Sequence, residues 1–138
     1  MGDLGLICVD PKRAAEFWPH VKWFIASAIE RTELSSFEGV EAAILEGRQL
    51  LWIAWDGKTI SAAGATELNK IGDKLICTIT AWASLGHQRD RWLPLLEVVE
   101  RYARAEGADA IRLYGRKGWE RVLDGFKVEH VILEKALN

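Results

Sequence analysis

The stretch "TAWASLGHQRDRWLPLL", residues 80–96, joins the end of an apolar, β-branched run to the start of a helical pattern through a turn at Gly86. Upstream, "KLICTITAWA", residues 74–83, reads as a strand. Downstream, Trp92, Leu95, Leu96, Val99, Tyr102 and Ala103 form one helical stripe that Gly107 closes. Pro94 lacks an amide hydrogen and must lie in the first turn, which sets the helix start close to residues 90–93. "DAIRLY", residues 109–114, is the next strand. A strand, a helical crossover and a strand of one sheet are parallel neighbours. The charged turn therefore stands at the carboxyl end of a strand, where open α/β sheets bind ligands.

Before this stretch, "LLWIAWDGKTISAAGATEL" places two apolar runs around Asp56-Gly57, a dipeptide that favours a type I′ hairpin. Leu51, Ile53 and Trp55 make one face of the first run apolar, and Leu50, Trp52 and Ala54 the other. A strand apolar on both faces belongs to a sheet covered on both sides. Residues 69–73, Asn-Lys-Ile-Gly-Asp, read as the next turn. "LICVD", residues 6–10, is a short first strand, and Asp10-Pro11 an N-cap with proline at the first helical position. That helix is expected to reach about Phe17, where Pro19 breaks or re-aims it. Val21, Phe24, Ile25, Ala28 and Ile29 then recur at helical spacing. "SSFE" is a capping box with Ser35 as cap and Glu38 three residues on, opening a helix that ends near Gly47. After the fifth strand, "RKGWERVLD" is a short helix stopped at Gly125, and "FKVEHVILEKAL" a closing strand. The expectation is an α/β (α+β) chain, β-α-α-β-β-β-α-β-α-β, with a mixed sheet, helices on both faces and one domain over residues 1–138.

The chain has 138 residues, 49% hydrophobic and 28% charged, with a net charge of −2. That is enough for one core, and no global basic field invites nucleic acid or an anionic membrane. Cys8 and Cys77 lie far apart, without metal-ligand spacing or a disulfide framework. They read as buried thiols in a reducing cytoplasm. The N-terminus lacks the pattern of a signal peptide, Leu6 argues against myristoylation, and no apolar run is long enough to span a bilayer. Seven tryptophans are many for this length. Most should fill the core, with one or two lining a groove or interface.

Three segments together resemble the GNAT-type N-acetyltransferases. "WIAWDGKTISAAGATEL" is similar to that family's second and third strands. "LICTITAWAS", its loop and "RWLPLLEVVERYARAEGADAIRLY" resemble its fourth strand, acyl-CoA loop, third helix and fifth strand. "RKGWERVLDGFKVEHVILEKAL" resembles its last helix and closing strand. "EFWPHV", "LLWIAWDG" and "YGRKGWERVL" also resemble a subgroup encoded in phages and prophages. The resemblance implies that the pantetheine of acetyl-CoA lies between splayed fourth and fifth strands. It implies a loop of pattern [Q/R]-x-x-G-x-[G/A] whose amides close on the pyrophosphate at a helix N-terminus. In "SLGHQRDRW" Gly86 is present, and Gln88 or Arg89 can stand for the polar lead. Arg89, Asp90 and Arg91 occupy the place of the second small residue, and Asp90 brings negative charge to the phosphate site. The tyrosine that the family often carries in its last helix is missing from "GWERVLDGF".

The candidate cofactor-binding residues are therefore Trp82, Ala83, Ser84, Gly86, His87, Gln88, Arg89, Arg91, Arg116 and Lys117. Arg89, Arg91, Arg116 and Lys117 follow the fourth and fifth strands. They read either as an anion clamp replacing glycine amides or as a solvated loop compensating Asp90, Glu97 and Glu120. His87 reads as a base, a phosphate cap or polar surface. Glu67, at the end of the third strand, is the candidate catalytic base, and Tyr114, ending the fifth, the candidate acid. Their bland readings are a solvated strand end and an aromatic packed on the third helix. Trp82 and Trp119 either flank the cleft or fill the core. No metal site is expected.

Two functions compete. One is an atypical acyl-CoA-dependent N-acyltransferase acting on an amine, with strand amides near Trp82–Ser84 binding the oxyanion and acetyl-CoA held weakly or not at all. The other is a non-catalytic phage or prophage accessory protein that keeps the fold and binds a protein partner. Nucleic-acid binding is disfavoured by net charge and the lack of an aromatic-basic motif. A final strand with an exposed edge could pair across a homodimer.

Overall fold

The structure, a computed structural model, describes residues 5–32, 34–85, 93–114, 123 and 125–137. Among the described residues the sheet has five strands in spatial order β1-β2-β3-β4-β5: β1 Gly5–Cys8, β2 Leu50–Trp55, β3 Ile60–Ile71, β4 Lys74–Ser84 and β5 Ala110–Leu113. The first four are antiparallel neighbours, and β5 runs parallel to β4. Helices α1 (Ala14–Thr32) and α2 (Phe37–Leu45) precede β2, and α3 (Leu96–Ala105) makes the crossover from β4 to β5.

The doubly apolar β2 divides its side chains between two cores, as its sequence requires. Leu51 and Ile53 pack with Ala63, Ala65, Ala81 and Ala83 against Val21, Phe24 and Ile25 of α1 and Val40 and Ile44 of α2. Trp52 and Ala54 join Cys77, Ile79 and Trp82 on the opposite face, with Val99 and Ala103 of α3. Each fully buried Phe, Ile or Leu contributes roughly 1.5–3 kcal/mol from lost apolar exposure, and the two faces together fix which way each strand turns. Alanine on β3 and β4 lets α1 lie close to the sheet. Trp18 is buried where α1 meets α2, and its Nε1 donates to Glu41 Oε2 at 2.6 Å. Trp52 and Trp82 are also buried, whereas Trp23 is exposed on α1 and stacks on Phe24.

Several local expectations change. Pro19 lies inside α1 and does not end it. The carbonyl that loses its bond belongs to Ala15, which, like Pro19, faces solvent, so water can satisfy it. Asp10 caps a 3-10 turn over Pro11–Arg13 that leads into α1, its Oδ1 accepting from the Lys12 amide. The cap of α2 is Ser36 rather than Ser35: its Oγ accepts from the Gly39 amide at 3.0 Å.

The two hairpins exchange lengths. At the Asp-Gly step, Trp55 pairs with Ile60, so the loop holds Asp56–Thr59. The Asp56 carboxylate accepts from the amides of Lys58 and Thr59, a side-chain turn that wins over the two-residue alternative. Gly57 still has φ +97°. By contrast β3 runs through the expected turn at Asn69–Ile71, and the reversal is the two-residue Gly72-Asp73, with φ +62° at Gly72.

Cys8 is exposed, against expectation, because β1 is an edge strand; Cys77 is buried. "FKVEHVILEKAL" makes no ladder with any described residue. The helix expected over 116–124 lies almost wholly outside the described residues, although Leu123 is buried and Gly125 has φ +80°.

Candidate functional site

The parallel pairing of β4 with β5 is short. Its rungs run from Ile76–Ala110 to Ile79–Leu113, with the Tyr114 amide donating to the Ile79 carbonyl at 3.3 Å. β4 continues for five more residues, Thr80 to Ser84, still paired with β3 on its other side. Among the described residues, the β5-facing edge of that extension has no strand beside it.

A bulge decides which groups face this edge. Ala65 opposes Ala81 and Thr66 opposes Ile79, which leaves Thr80 as an extra residue on β4. The Leu85 amide donates to the Ser61 carbonyl at 2.8 Å, which marks that pair as hydrogen-bonded. Alternation along an antiparallel ladder then turns the amides of Ala81 and Ala83 toward β3, and those of Trp82 and Ser84 toward the β5 side. Two successive outward amides line the edge of β4 where β5 has ended. The Trp82 side chain covers Gly64 of β3, where a Cβ would overlap the indole and lie 2.7 Å from the Ala81 carbonyl oxygen.

Behind the bulge lies a buried polar cluster. Thr80 Oγ1 donates to Gln49 Oε1 at 2.8 Å, and Gln49 Nε2 donates to Glu67 Oε2 at 3.2 Å. Gln49 is buried, so leaving its amide unpaired would be unfavourable. Through Gln49 the Glu67 carboxylate is tied to the residue that follows the last β4–β5 rung. Glu67 does not end β3, as the sequence had implied; it lies within it, opposite Thr78, because β3 runs on to Ile71.

Tyr114 follows β5 directly, with its side chain exposed rather than packed on the third helix. The other tyrosine, Tyr102, meets Trp52 edge-on, with ring centroids 5.4 Å apart. Burial first, and then the nearby Glu106 charge, push its phenol up to about 12, so it holds its proton at neutral pH. Burial likewise pushes the Cys77 thiol up to about 11 and makes it a poor nucleophile. No group of His, Cys, Asp and Glu among the described residues could hold a metal ion.

Of the candidates from sequence, Trp82, Ala83, Ser84, Glu67 and Tyr114 are placed: the first three on the β4 extension, Tyr114 at the end of β5, and Glu67 behind the bulge. Gly86, His87, Gln88, Arg89, Arg91, Arg116, Lys117 and Trp119 lie outside the described residues. Gln49 and Thr80 were not singled out from sequence. Their signal is chemical: a glutamine directly before a doubly apolar strand, and a threonine in the otherwise apolar "ITAWA", have to find polar partners when buried.

No protein-family model matches the chain, and no curated protein matches it in sequence. Solved structures do resemble it. An aminoglycoside acetyltransferase from an uncultured soil metagenomic sample, in complex with sisomicin, superposes with TM-score 0.72 at 11% identity, covering 98% of this chain and 96% of that one. A predicted acetyltransferase with acetyl-CoA from Clostridium acetobutylicum gives TM-score 0.69 at 14% identity and 96% coverage of each chain. A GNAT family acetyltransferase from Staphylococcus aureus gives 0.65 at 10% identity, covering 98% and 99%. The fold is that of the GNAT-type acetyltransferases.

Proposed function

We propose that this protein is an atypical acyl-CoA-dependent N-acyltransferase that acts on an amine. The observation that carries the reading is the β4 extension: five residues beyond the last β5 rung, with the Trp82 and Ser84 amides turned outward. Such an edge suits the amide-rich pantetheine arm, which can lie along it as a strand would. Acyl-CoA, when bound, supplies an acyl group activated as a thioester. The chain's own part is electrostatic and positional. The Ser84 amide is a fixed donor for an acyl oxygen that gains negative charge, with the outward Trp82 amide beside it on the same edge. Glu67, oriented by Gln49, is the base for the amine proton, and Tyr114 the acid for the departing sulfur. Binding of the phosphates falls to residues 86–91 with Arg116 and Lys117. Asp90 opposes an anion there, so the expected affinity for acetyl-CoA is weak, roughly micromolar to millimolar.

A second reading is favoured by that same loop. "SLGHQRDRW" holds one glycine and places Arg89, Asp90 and Arg91 where the second small residue would stand. A phage- or prophage-derived accessory protein of the cytoplasm, using the fold for contact with a protein partner, needs no phosphate cradle.

Calorimetry with acetyl-CoA separates the two. The acyltransferase reading expects measurable binding, weakened by Arg89→Ala and Arg116→Ala and strengthened by Asp90→Ser. It also expects release of free CoA thiol when amines, a polyamine or sisomicin among them, are supplied. No heat with parent and Asp90→Ser alike, together with no thiol release, would leave the accessory reading.

A further inference from the structure

One carboxamide joins three parts of the chain. The Gln49 backbone is anchored to α2, its amide donating to the Ala43 carbonyl at 3.0 Å. From there the side chain reaches both long strands. Its Oε1 accepts from Thr80 Oγ1 of β4 at 2.8 Å, and its Nε2 donates to Glu67 Oε2 of β3 at 3.2 Å. Gln49 and Thr80 are only 7% and 6% exposed, so their polar atoms have to be paired.

The two ends of an amide are not equivalent. An ionised Glu67 only accepts, so it needs the Nε2 end of Gln49. That leaves Oε1 for Thr80, and Oε1 needs a donor. The Thr80 hydroxyl carries one proton and has two acceptors in reach, Gln49 Oε1 at 2.8 Å and the Ala65 carbonyl at 3.3 Å. With the proton on the Gln49 side, the amide is fixed with its donor end on the carboxylate. Without the hydroxyl, nothing printed on that side holds the amide from turning its oxygen toward Glu67.

The second acceptor completes another arrangement. A protonated Glu67 donates instead of accepting. With the amide turned over, Glu67 donates to Oε1, Nε2 donates to Thr80 Oγ1, and Thr80 turns its proton to the Ala65 carbonyl. The carboxyl, the amide oxygen and the hydroxyl proton have partners in both arrangements, which spares the cost of a buried unpaired group. One proton is gained, on Glu67, and no other atom of the network gains or loses one.

The surroundings leave that exchange to the network. Alternation along β3 puts Glu67 on the face of Ala63 and Ala65, where α1 and α2 contribute apolar residues such as Ile25, Ile29 and Ile44. Thr78, opposite Glu67 on β4, is uncharged. Arg48, beside Gln49, pairs with Glu46 at 2.6 Å, and Lys70, Asp73 and Lys74 lie exposed at the hairpin end.

We propose that Thr80 is a positioning residue for acyl transfer: through Gln49 it keeps the Glu67 carboxyl hydrogen-bonded both before and after it takes the proton of the amine. The inference rests on the acyltransferase reading, in which Glu67 is the base. Thr80 is the bulged residue of β4, so one irregularity of the strand serves both the base and the edge beyond it.

Steady-state release of CoA thiol from acetyl-CoA, with spermidine and with sisomicin as acceptors, is the test. Thr80→Val should lower kcat about 10- to 100-fold. KM for acetyl-CoA and its calorimetric Kd should stay within about twofold of the parent. Thr80→Ser keeps the hydroxyl and should restore kcat. Gln49→Met keeps the length of the side chain but neither end of the amide, and should reproduce the loss. The double variant should lose no more than the larger single loss, because a relay cut once is already cut. Circular dichroism establishes that each variant is folded, and if Thr80→Val is not, Thr80→Ser against Gln49→Met carries the comparison. Parental kcat in Thr80→Val or in Gln49→Met, a loss shared by Thr80→Ser, multiplied losses in the double variant, or a raised KM with kcat unchanged overturns the inference and leaves the acyltransferase reading standing. No thiol release from the parent with any amine supplied overturns both.

Discussion

Gly64→Ala is the sharpest single perturbation of the sheet. Gly64 faces Trp82 across the β3–β4 ladder, and the indole lies over its Cα. An added Cβ would overlap Trp82 Cε3, stand 3.0 Å from Cζ3 and 2.7 Å from the Ala81 carbonyl oxygen. The ring can rotate away only within a core where Trp82 is buried, and the carbonyl belongs to the ladder backbone. Overpacking of this kind costs about 1–3 kcal/mol. The contact with ladder backbone puts the cost near the upper end, about 2–3 kcal/mol, and alanine recovers roughly 0.5–1 kcal/mol of backbone entropy, which leaves a net loss of about 1–2.5 kcal/mol. For a chain of this size the melting temperature should fall by roughly 3–10 °C. Trp82→Ala alone should cost about 3–5 kcal/mol by leaving a cavity. In that background the indole part of the Gly64→Ala penalty disappears, giving a coupling of at least about 1 kcal/mol in a double-mutant cycle. Urea and thermal melts of the four proteins measure it. A Gly64→Ala protein that melts at or above the parent temperature, or strictly additive losses, would refute the packing argument.

Gln49→Leu should destabilise the protein by about 1–3 kcal/mol, because the buried Thr80 hydroxyl and the Glu67 carboxylate both lose their bridge; denaturant midpoints report it. Ser36→Ala should cost about 1 kcal/mol of stability, while Ser35→Ala should stay within about 0.5 kcal/mol, which checks the cap assignment by the same melts. Stability should be flat up to the ordinary thiol range near 9.0 and fall as the pH rises through about 11. Cys77 and Tyr102 both stay protonated in the folded chain after their unfolded counterparts have ionised, so the stability held below the unfolded values is lost on the alkaline side. Urea midpoints measured from neutral to alkaline pH test this, and a Cys77→Ala variant should show a shallower fall.

The sheet was legible because its signals are local and repeated. The two apolar faces of "LLWIAW" required layers on both sides, and the strand–helix–strand pattern around Gly86 required β4 and β5 to be parallel. What misled was competition between local rules that sequence alone does not rank. Asp56 satisfies two loop amides with its side chain, so the favoured Asp-Gly turn gives way to a longer loop, and the tight turn falls at Gly72-Asp73. Ser35 and Ser36 are equally good caps by composition, and only the start of the helix chooses between them. Pro19 is tolerated because the freed carbonyl faces water, a tertiary fact. The bulge at Thr80 carries no glycine to announce it, yet it sets which amides face the β4 edge. "FKVEHVILEKAL" has the composition of a strand, yet it makes no ladder with any described residue, since composition does not supply a partner edge.

In the proposed acyltransferase the β4 edge beyond Ile79 receives the acyl-CoA arm. Titrating the 15N-labelled protein with acetyl-CoA and following each amide tests it most directly. Trp82, Ser84 and Tyr114 should move together along one saturating curve, while amides of β1 and α2 stay in place. No change at millimolar acetyl-CoA, or changes that avoid residues 80–85 and 114, would contradict it.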